Sequence, residues 1–175
     1  MKSPMQRIAV VMDRGNCVGG SRQYSDRLLF RLASASEYIR AMNAGYSGTP
    51  LMKKLGVKAG SLIRVIDAPP AFLDWVRLQP EQPRWAETDD LADVTILFVE
   101  WQDRLNAQLP QAIDGLAIAG GLWIAWPKKA SKVPTDITED VLRTVILPTG
   151  LVDNKVCAID EIWSGLRFVW RKEWR

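Results

Sequence analysis

The feature that most constrains the fold is a pair of apolar runs separated by one segment of helical length. The runs are DVTILFVEW (93–101) and GGLWIAW (120–126), and both are too apolar for strands with a face in water. Between them, QDRLNAQLPQAIDGLA has helical periodicity, and we expect Pro110 to kink or divide its helix. Two buried strands joined by a helix indicate a parallel sheet that is covered on both faces.

The same alternation continues on both sides of this unit. Upstream, SGTPLMKKLG predicts a capped helix, SLIRVIDAP (61–69) a strand and PAFLDWVRL (70–78) a short helix. Downstream, a helix is predicted over 136–147 and a pair of strands over the last part of the chain. The predicted fold class is α/β, a three-layer Rossmann-like sheet, mostly parallel, with a C-terminal antiparallel strand pair. This order resembles a reduced class I methyltransferase fold, a resemblance of architecture that carries no function by itself.

The basic charge of the chain is concentrated near its N-terminus. Residues 1–41 hold seven basic and three acidic side chains, whereas residues 42–175 hold sixteen basic and seventeen acidic ones. We expect residues 1–41 to be a poorly ordered extension, with Met42 as an alternative natural start, and residues 42–175 to form a single α/β domain. The balanced charge of residues 42–175 argues against nucleic acid as their partner.

Several classes of site are excluded by residues that the chain lacks. Histidine is absent, which removes the Ser-His-Asp and Cys-His nucleophile systems and the commonest metal ligand. The cysteines Cys17 and Cys157 form no CxxC motif, so no metal site is predicted, and Cys157 is expected to be a buried, inert thiol. Because no apolar run could span a bilayer and no signal peptide opens the chain, we expect a soluble cytoplasmic protein without a membrane partner.

The carboxyl ends of the predicted parallel strands are where a ligand would collect. Asp67 follows the first strand, Glu100 the second, and the lysine-rich loop PKKASK (127–132) the third. Tryptophans near these ends could provide flat walls for a planar ligand. The candidate ligand-binding residues are Asp67, Glu100, Trp101, Trp126, Lys128, Lys129, Ser131, Lys132, Thr135, Asp136 and Trp163.

The lysines of this loop have two interpretations. A helix N-terminus attracts anions, and Lys128, Lys129 and Lys132 could supplement it. However, Asp136 followed three residues later by Glu139 resembles a capping box for the next helix. The lysines could therefore face an anionic ligand or the carboxylates of their own helix cap.

The turn after the first strand bears on the cofactor. Sites for dinucleotides and S-adenosylmethionine need glycines there, so that the backbone can approach the ligand. Here the turn is DAPPAF, with two prolines and no glycine, and the chain has no Walker A sequence. No cofactor is therefore predicted, and the turn argues against both S-adenosylmethionine and NAD.

Three long motifs occur in order within residues 45–172, with AGYSGTPLMKKLGVKAG at the start. The second is WIAWPKKASKVPTDITEDVLR and the third is PTGLVDNKVCAIDEIWSGLRFVWRK. Together they resemble the bacterial domain of unknown function 3052 family. Because that family has no established activity, the resemblance implies a small cytoplasmic bacterial protein and supplies no catalytic residue.

These observations favour a non-catalytic ligand-binding or regulatory domain that holds a small anion at the carboxyl edge of the sheet. One alternative is an enzyme of unknown reaction, in which a loop lysine acts with Asp67, Glu100 or Asp136 as acid–base partner. Another is a protein- or nucleic-acid-interaction module that uses the basic N-terminal segment. The sequence leans against catalysis and leaves the ligand and the oligomeric state open.

Overall fold

A computed structural model describes residues 48–175, so the predictions for residues 1–41 lie outside the described residues. The described chain forms six strands: β1 (Leu62–Ile66), β2 (Arg84–Trp85), β3 (Ala92–Phe98), β4 (Leu116–Pro127), β5 (Leu151–Ala158) and β6 (Trp163–Trp170). They make one sheet in the order β2-β1-β3-β4-β6-β5. The first four strands are parallel, and β6 lies antiparallel between β4 and β5. This arrangement confirms the predicted fold class.

Four α-helices accompany the sheet: α1 (Leu51–Leu55), α2 (Pro70–Arg77), α3 (Gln102–Asp114) and α4 (Glu139–Ile146). The connections from β1 to β2, from β3 to β4 and from β4 to β5 each contain one of them. In the described range, β2 and β3 are joined without a helix. None of the helices described is long and apolar enough to cross a membrane.

The strand order places a topological switch point between β1 and β3. The chain leaves β1 for β2 on one side, whereas it leaves β3 for β4 on the other side. The connections on either side of such a point diverge, which leaves a crevice beyond the carboxyl ends of the two central strands. The β1–α2 and β3–α3 turns lie at this place.

Each face of the sheet has its own apolar core. On one face, the strand residues Leu97, Leu122 and Leu166 are buried against Leu105 of α3 and Leu142 of α4. Buried side chains alternate between faces along a strand, so that their neighbours point to the other side. Helices therefore cover both faces, as the apolar runs of β3 and β4 predicted.

The second core is built from aromatic side chains. Phe98 of β3 packs edge-on against Phe72 of α2 and Trp163 of β6, with ring centroids 4.9 and 5.1 Å apart. Trp123 of β4 is fully buried, and its Nε1 donates a hydrogen bond of 2.9 Å to the carbonyl oxygen of Leu55. This bond ties α1 to the middle of the sheet.

Three boundaries differ from the sequence-based predictions. The helix expected over 136–147 begins at Glu139, because Thr138 rather than Asp136 is its N-cap. Strand β4 begins at Leu116, earlier than expected. Pro110 does not divide α3. The proline has no N–H to donate to the Asn106 carbonyl oxygen. Because both residues are exposed, water can bond that oxygen instead.

Candidate functional site

The carboxyl edge of the sheet brings Asp67 to the first turn of α3. Asp67 follows β1 directly and has a left-handed backbone with a φ of 53°, which turns the chain sharply towards α2. Its Oδ2 lies 3.4 Å from the guanidinium of Arg104 in α3. Their side chains are 41% and 52% exposed, so this ion pair spans the switch point and stays open to water.

The predicted residues Thr135 and Asp136 fasten the loop before α4 to the β3–α3 turn. Thr135 donates a hydrogen bond of 2.7 Å from Oγ1 to the carbonyl oxygen of Glu100, and Oγ1 accepts one from the Ile137 amide. Asp136 Oδ1 accepts a hydrogen bond of 2.8 Å from the amide of Gln102, the first residue of α3. The carboxylate thus lies where the dipole of α3 favours a negative charge.

The role expected for Asp136 is therefore corrected. Instead of capping the helix that follows it in sequence, Asp136 caps α3, which precedes it by more than thirty residues. The N-cap of α4 is Thr138, whose Oγ1 accepts a hydrogen bond of 3.2 Å from the Val141 amide. The capping-box spacing is present in the sequence, but the tertiary structure directs the Asp136 carboxylate elsewhere.

Replacing Asp136 with alanine is expected to lower the free energy of unfolding by about 0.5–2 kcal/mol, the usual effect of losing a helix N-cap. Urea denaturation monitored by circular dichroism measures the change. As a matched control, Asp74→Ala removes another exposed carboxylate, which pairs with Arg77 along one helix, and it should change stability by less than about 0.5 kcal/mol. Equal effects of the two substitutions would contradict the capping role.

The lysine loop is fastened by Lys128. Its Nζ donates to the carbonyl oxygen of Asp160 in the β5–β6 hairpin turn, and its amide donates to the Ile162 carbonyl oxygen over 2.7 Å. The carboxylate of Asp160 in turn accepts from the amides of Ile162 and Trp163. Ser131 closes the loop on itself with a hydrogen bond of 2.7 Å to the Lys128 carbonyl oxygen.

The other two lysines of the loop, Lys129 and Lys132, are exposed. Lys128, in contrast, bonds a hairpin turn, a contact that neither interpretation of the loop anticipated. Lys132 has a φ of 59° and ends the short 3-10 turn that begins at Lys129. The loop is primarily a connection between β4 and the hairpin.

The predicted tryptophans divide into buried and accessible ones. Trp126 and Trp163 are only 7% and 6% exposed, and both belong to the packed faces of the sheet. Trp101 is half-buried and immediately precedes α3. Of the three, Trp101 is thus the one with surface to offer at the carboxyl edge.

Two residues of this region were not predicted. Arg104 is a basic side chain in the first turn of a helix, where the helix dipole favours acidic residues. This unfavourable charge, soon after Glu100 and Trp101, is the sequence feature that could have identified Arg104 as a site residue. Asp160 offered no such signal, because its partner Lys128 is 32 positions away. Both contacts depend on how the strands are ordered.

Other candidate chemistry is limited. Cys157 is half-buried, and burial raises the pKa of its thiol while the charge of Lys155 opposes that rise. The thiol therefore stays protonated near neutral pH, in agreement with an inert role. Within residues 48–175, no group of three or more His, Cys, Asp or Glu side chains is placed to hold a metal ion.

Comparisons with known proteins concern the fold. No family model matches the chain, and no curated protein matches its sequence. Among solved structures, a SAM-dependent methyltransferase from Aquifex aeolicus is similar at 10% identity and a TM-score of 0.49, over 77% of this chain and 97% of that one. A TehB-like SAM-dependent methyltransferase from Corynebacterium glutamicum is similar at 11% identity and a TM-score of 0.49, over 85% and 99% of the two chains.

Two expectations from the sequence are contradicted by these comparisons. The chain was expected to be a non-catalytic binding domain, and its glycine-free turn was taken to argue against S-adenosylmethionine. The similar structures include SAM-dependent methyltransferases and a DhpI–SAH complex, the latter at 11% identity and a TM-score of 0.45 over 87% of this chain and all of that one. These similar structures contradict both expectations.

Proposed function

We propose that this protein is a methyltransferase that uses S-adenosylmethionine. The observation that carries the proposal is the Asp67–Arg104 pair, which lies at the switch point of the sheet with both side chains about half exposed. Ligands of doubly wound sheets bind at this point. The pair is placed on two different elements, so a ligand that contacts both side chains also bridges β1 and α3.

The chemistry of these two side chains fits one end of the cofactor. The methionine part of S-adenosylmethionine carries an ammonium and a carboxylate group. A carboxylate accepts hydrogen bonds from an ammonium, and a guanidinium donates two parallel bonds to a carboxylate. Asp67 and Arg104 would therefore hold the amino-acid end of the cofactor by exchanging their mutual ion pair for two pairs with the ligand.

The glycine-free turn changes how this site would work and does not prevent binding. Pro69 and Pro70 have no backbone N–H to offer, so the turn contributes fewer main-chain donors than a glycine-rich one. The left-handed conformation of Asp67 supplies the sharp bend that a glycine commonly provides. Side chains, rather than main-chain amides, would then supply most of the polar contacts.

Trp101 would contribute an apolar wall at the same edge. It precedes α3 directly, three positions before Arg104, and it is half-buried. When bound, S-adenosylmethionine supplies an electrophilic methyl group on its sulfonium sulfur. An indole face near such a cation is favourable, because the ring quadrupole attracts positive charge, and it also excludes water.

Calorimetric titration of the full chain with S-adenosylmethionine and with S-adenosylhomocysteine tests the proposal. Both ligands should bind, and Arg104→Gln or Asp67→Asn should weaken each about tenfold or more, because each removes a hydrogen bond to a charged group. Arg77→Gln is the matched control, since Arg77 also pairs with one exposed aspartate, at 2.8 Å, but lies within α2. Absence of binding to either ligand, or equal affinities in all variants, would refute the proposed site.

The family and location predicted from the sequence remain proposals. We propose that the protein is a cytoplasmic bacterial member of the domain of unknown function 3052 family. Two of the three motifs that suggest this family meet in space, since Lys128 of the second donates to the Asp160 carbonyl oxygen of the third. Shared contacts of this kind are what would keep both motifs together in a family.

A further inference from the structure

The last nine residues of the chain have a charge and composition unlike the rest of the described sheet. Residues 167–175, RFVWRKEWR, hold four basic side chains and one acidic one. Residues 42–166 hold twelve basic and sixteen acidic side chains. We call the side chains of Arg167, Trp170, Arg171, Lys172, Trp174 and Arg175 the basic aromatic edge. Because β6 is antiparallel, its end lies at the amino edge of the parallel strands, away from Asp67 and Arg104.

Arg167 is held at this edge without an anionic partner. Its guanidinium lies against Gly121 of β4, where a Cβ atom would come within 2.5 Å of Arg167 Nε. Nε is buried and has no hydrogen-bond partner among the described residues. Burial, and then the nearby charge of Arg175, lower the pKa of Arg167. None of the ion pairs within residues 48–175 involves Arg167 or Arg175.

Arg143 differs from Arg167, because carboxylates neutralise its charge. Its guanidinium contacts the carboxylates of Glu139, Asp140 and Asp153 within 3.4 Å. Within residues 167–175 the single acidic residue is Glu173, against four cations. This local excess of positive charge favours an anionic partner.

The same edge carries two tryptophans whose rings are in contact. The rings of Trp170 and Trp174 lie 5.6 Å apart at an angle of 31°, and Trp174 also covers Gly150. Trp174 is 55% exposed, and the buried Nε1 of Trp170 has no hydrogen-bond partner in the described part of the chain. Trp174 therefore contacts a second indole ring and the backbone at Gly150, while more than half of its surface stays exposed.

We propose that the basic aromatic edge binds single-stranded nucleic acid, with a base stacked on Trp174 and phosphates held by the exposed cations Arg171, Lys172 and Arg175. Exposed aromatic rings beside a row of cations are how proteins bind single strands without reading their sequence. A duplex does not fit this surface, because its bases are already stacked on one another. The proposal is independent of the proposed methyl transfer, since the two sites lie at opposite edges of the sheet.

Because the basic aromatic edge is open to solvent, it suits a strand of nucleic acid better than a free nucleotide. Small-molecule sites are concave and bury most of their ligand, whereas Arg171, Lys172, Trp174 and Arg175 are all exposed. Exposed ion pairs contribute little individually, so several phosphates along a strand are needed to bind. The summed charge of residues 42–175 had argued against nucleic acid, but that sum hides this local cluster.

Fluorescence anisotropy with a labelled oligo(U) of about 15 nucleotides tests the proposal on the full chain. We expect Trp174→Leu, which keeps an apolar side chain over Gly150 without an aromatic face, to weaken binding about tenfold. Trp174→Phe should retain most of the affinity. Arg175→Gln should weaken binding and reduce the salt-dependence slope by about 0.7 for the one lost phosphate contact. Trp85→Leu is the matched control, because Trp85 is 41% exposed with Arg77 over its ring but lies on β2, at the far border of the sheet.

Cross-linking of the bound oligonucleotide, followed by mass spectrometry, locates the contact without any substitution. The expected adducts are on Trp174 or on residues adjacent to it. Three results would overturn the proposal: no binding at about 50 mM salt, equal effects of the Trp174 and Trp85 substitutions, or adducts confined to residues 1–41. Tighter binding of a duplex or of free UMP would overturn it as well. Titration with S-adenosylhomocysteine should be unchanged in Trp174→Leu, which separates this result from the test of the proposed function.

Discussion

Replacing Trp123 with alanine is expected to lower the free energy of unfolding by about 3–5 kcal/mol, the range for truncating a buried aromatic residue. Trp123 is fully buried in β4, between β3 and β6, and its Nε1 donates to the Leu55 carbonyl oxygen. The substitution leaves a cavity in the aromatic core and an unpaired carbonyl at the end of α1. Chemical denaturation monitored by tryptophan fluorescence measures the loss.

Two further variants separate the causes of this effect. Trp123→Phe keeps most of the apolar volume and removes only the donor, so the loss should fall to about 1–3 kcal/mol, the cost of an unsatisfied buried acceptor. Trp85→Ala alters a tryptophan that is 41% exposed and should cost less than about 1 kcal/mol. A Trp123→Ala variant as stable as Trp85→Ala would show that Trp123 does not support α1.

Replacing Lys128 with methionine is expected to lower the free energy of unfolding by about 1.5–3 kcal/mol, the range for hydrogen bonds to charged groups. Methionine preserves the length and apolar stem of the side chain but cannot donate to the Asp160 carbonyl oxygen. The hairpin turn between β5 and β6 would lose its connection to the end of β4. Hydrogen exchange of the Ile162 and Trp163 amides, which bond the Asp160 carboxylate, should report local loosening.

Lys129→Met is the control for this substitution. Lys129 is the next residue and is exposed, so its replacement should change stability by no more than about 0.5 kcal/mol. If both substitutions have the same small effect, the Lys128 ammonium does not hold the hairpin. If both weaken the binding of S-adenosylmethionine equally and leave stability unchanged, the loop belongs to the ligand site instead.

The candidate site was partly predictable because strand ends can be read from an apolar pattern. Asp67 was identified in this way, since it follows the buried part of β1 at the edge where ligands of parallel sheets bind. Arg104 was missed, although it lies four positions after Glu100, because its relevance depends on β1 and β3 being neighbours. The sequence separation of Asp67 and Arg104 is 37, and only the parallel pairing brings them together.

The prediction for Asp136 was wrong for a related reason. Its spacing to Glu139 is typical of a local cap, and local spacing is all that a sequence pattern contains. In the folded chain, the Asp136 carboxylate accepts a hydrogen bond from the amide of Gln102. The hydrogen bond from Thr135 to the Glu100 carbonyl oxygen fastens the loop beside the start of α3. A donor from another helix thus replaced the local one.

The sequence by itself predicted the order of the main helices and strands and the fold class of residues 48–175, although not every boundary, because apolar periodicity depends on neighbours along the chain. It also determined that no histidine-based chemistry is present. Only the tertiary structure decided that Lys128 supports a hairpin, that Asp136 caps α3 and that Arg104 meets Asp67. These contacts are set by the strand order, and strand order follows from the packing of the whole sheet rather than from any local pattern.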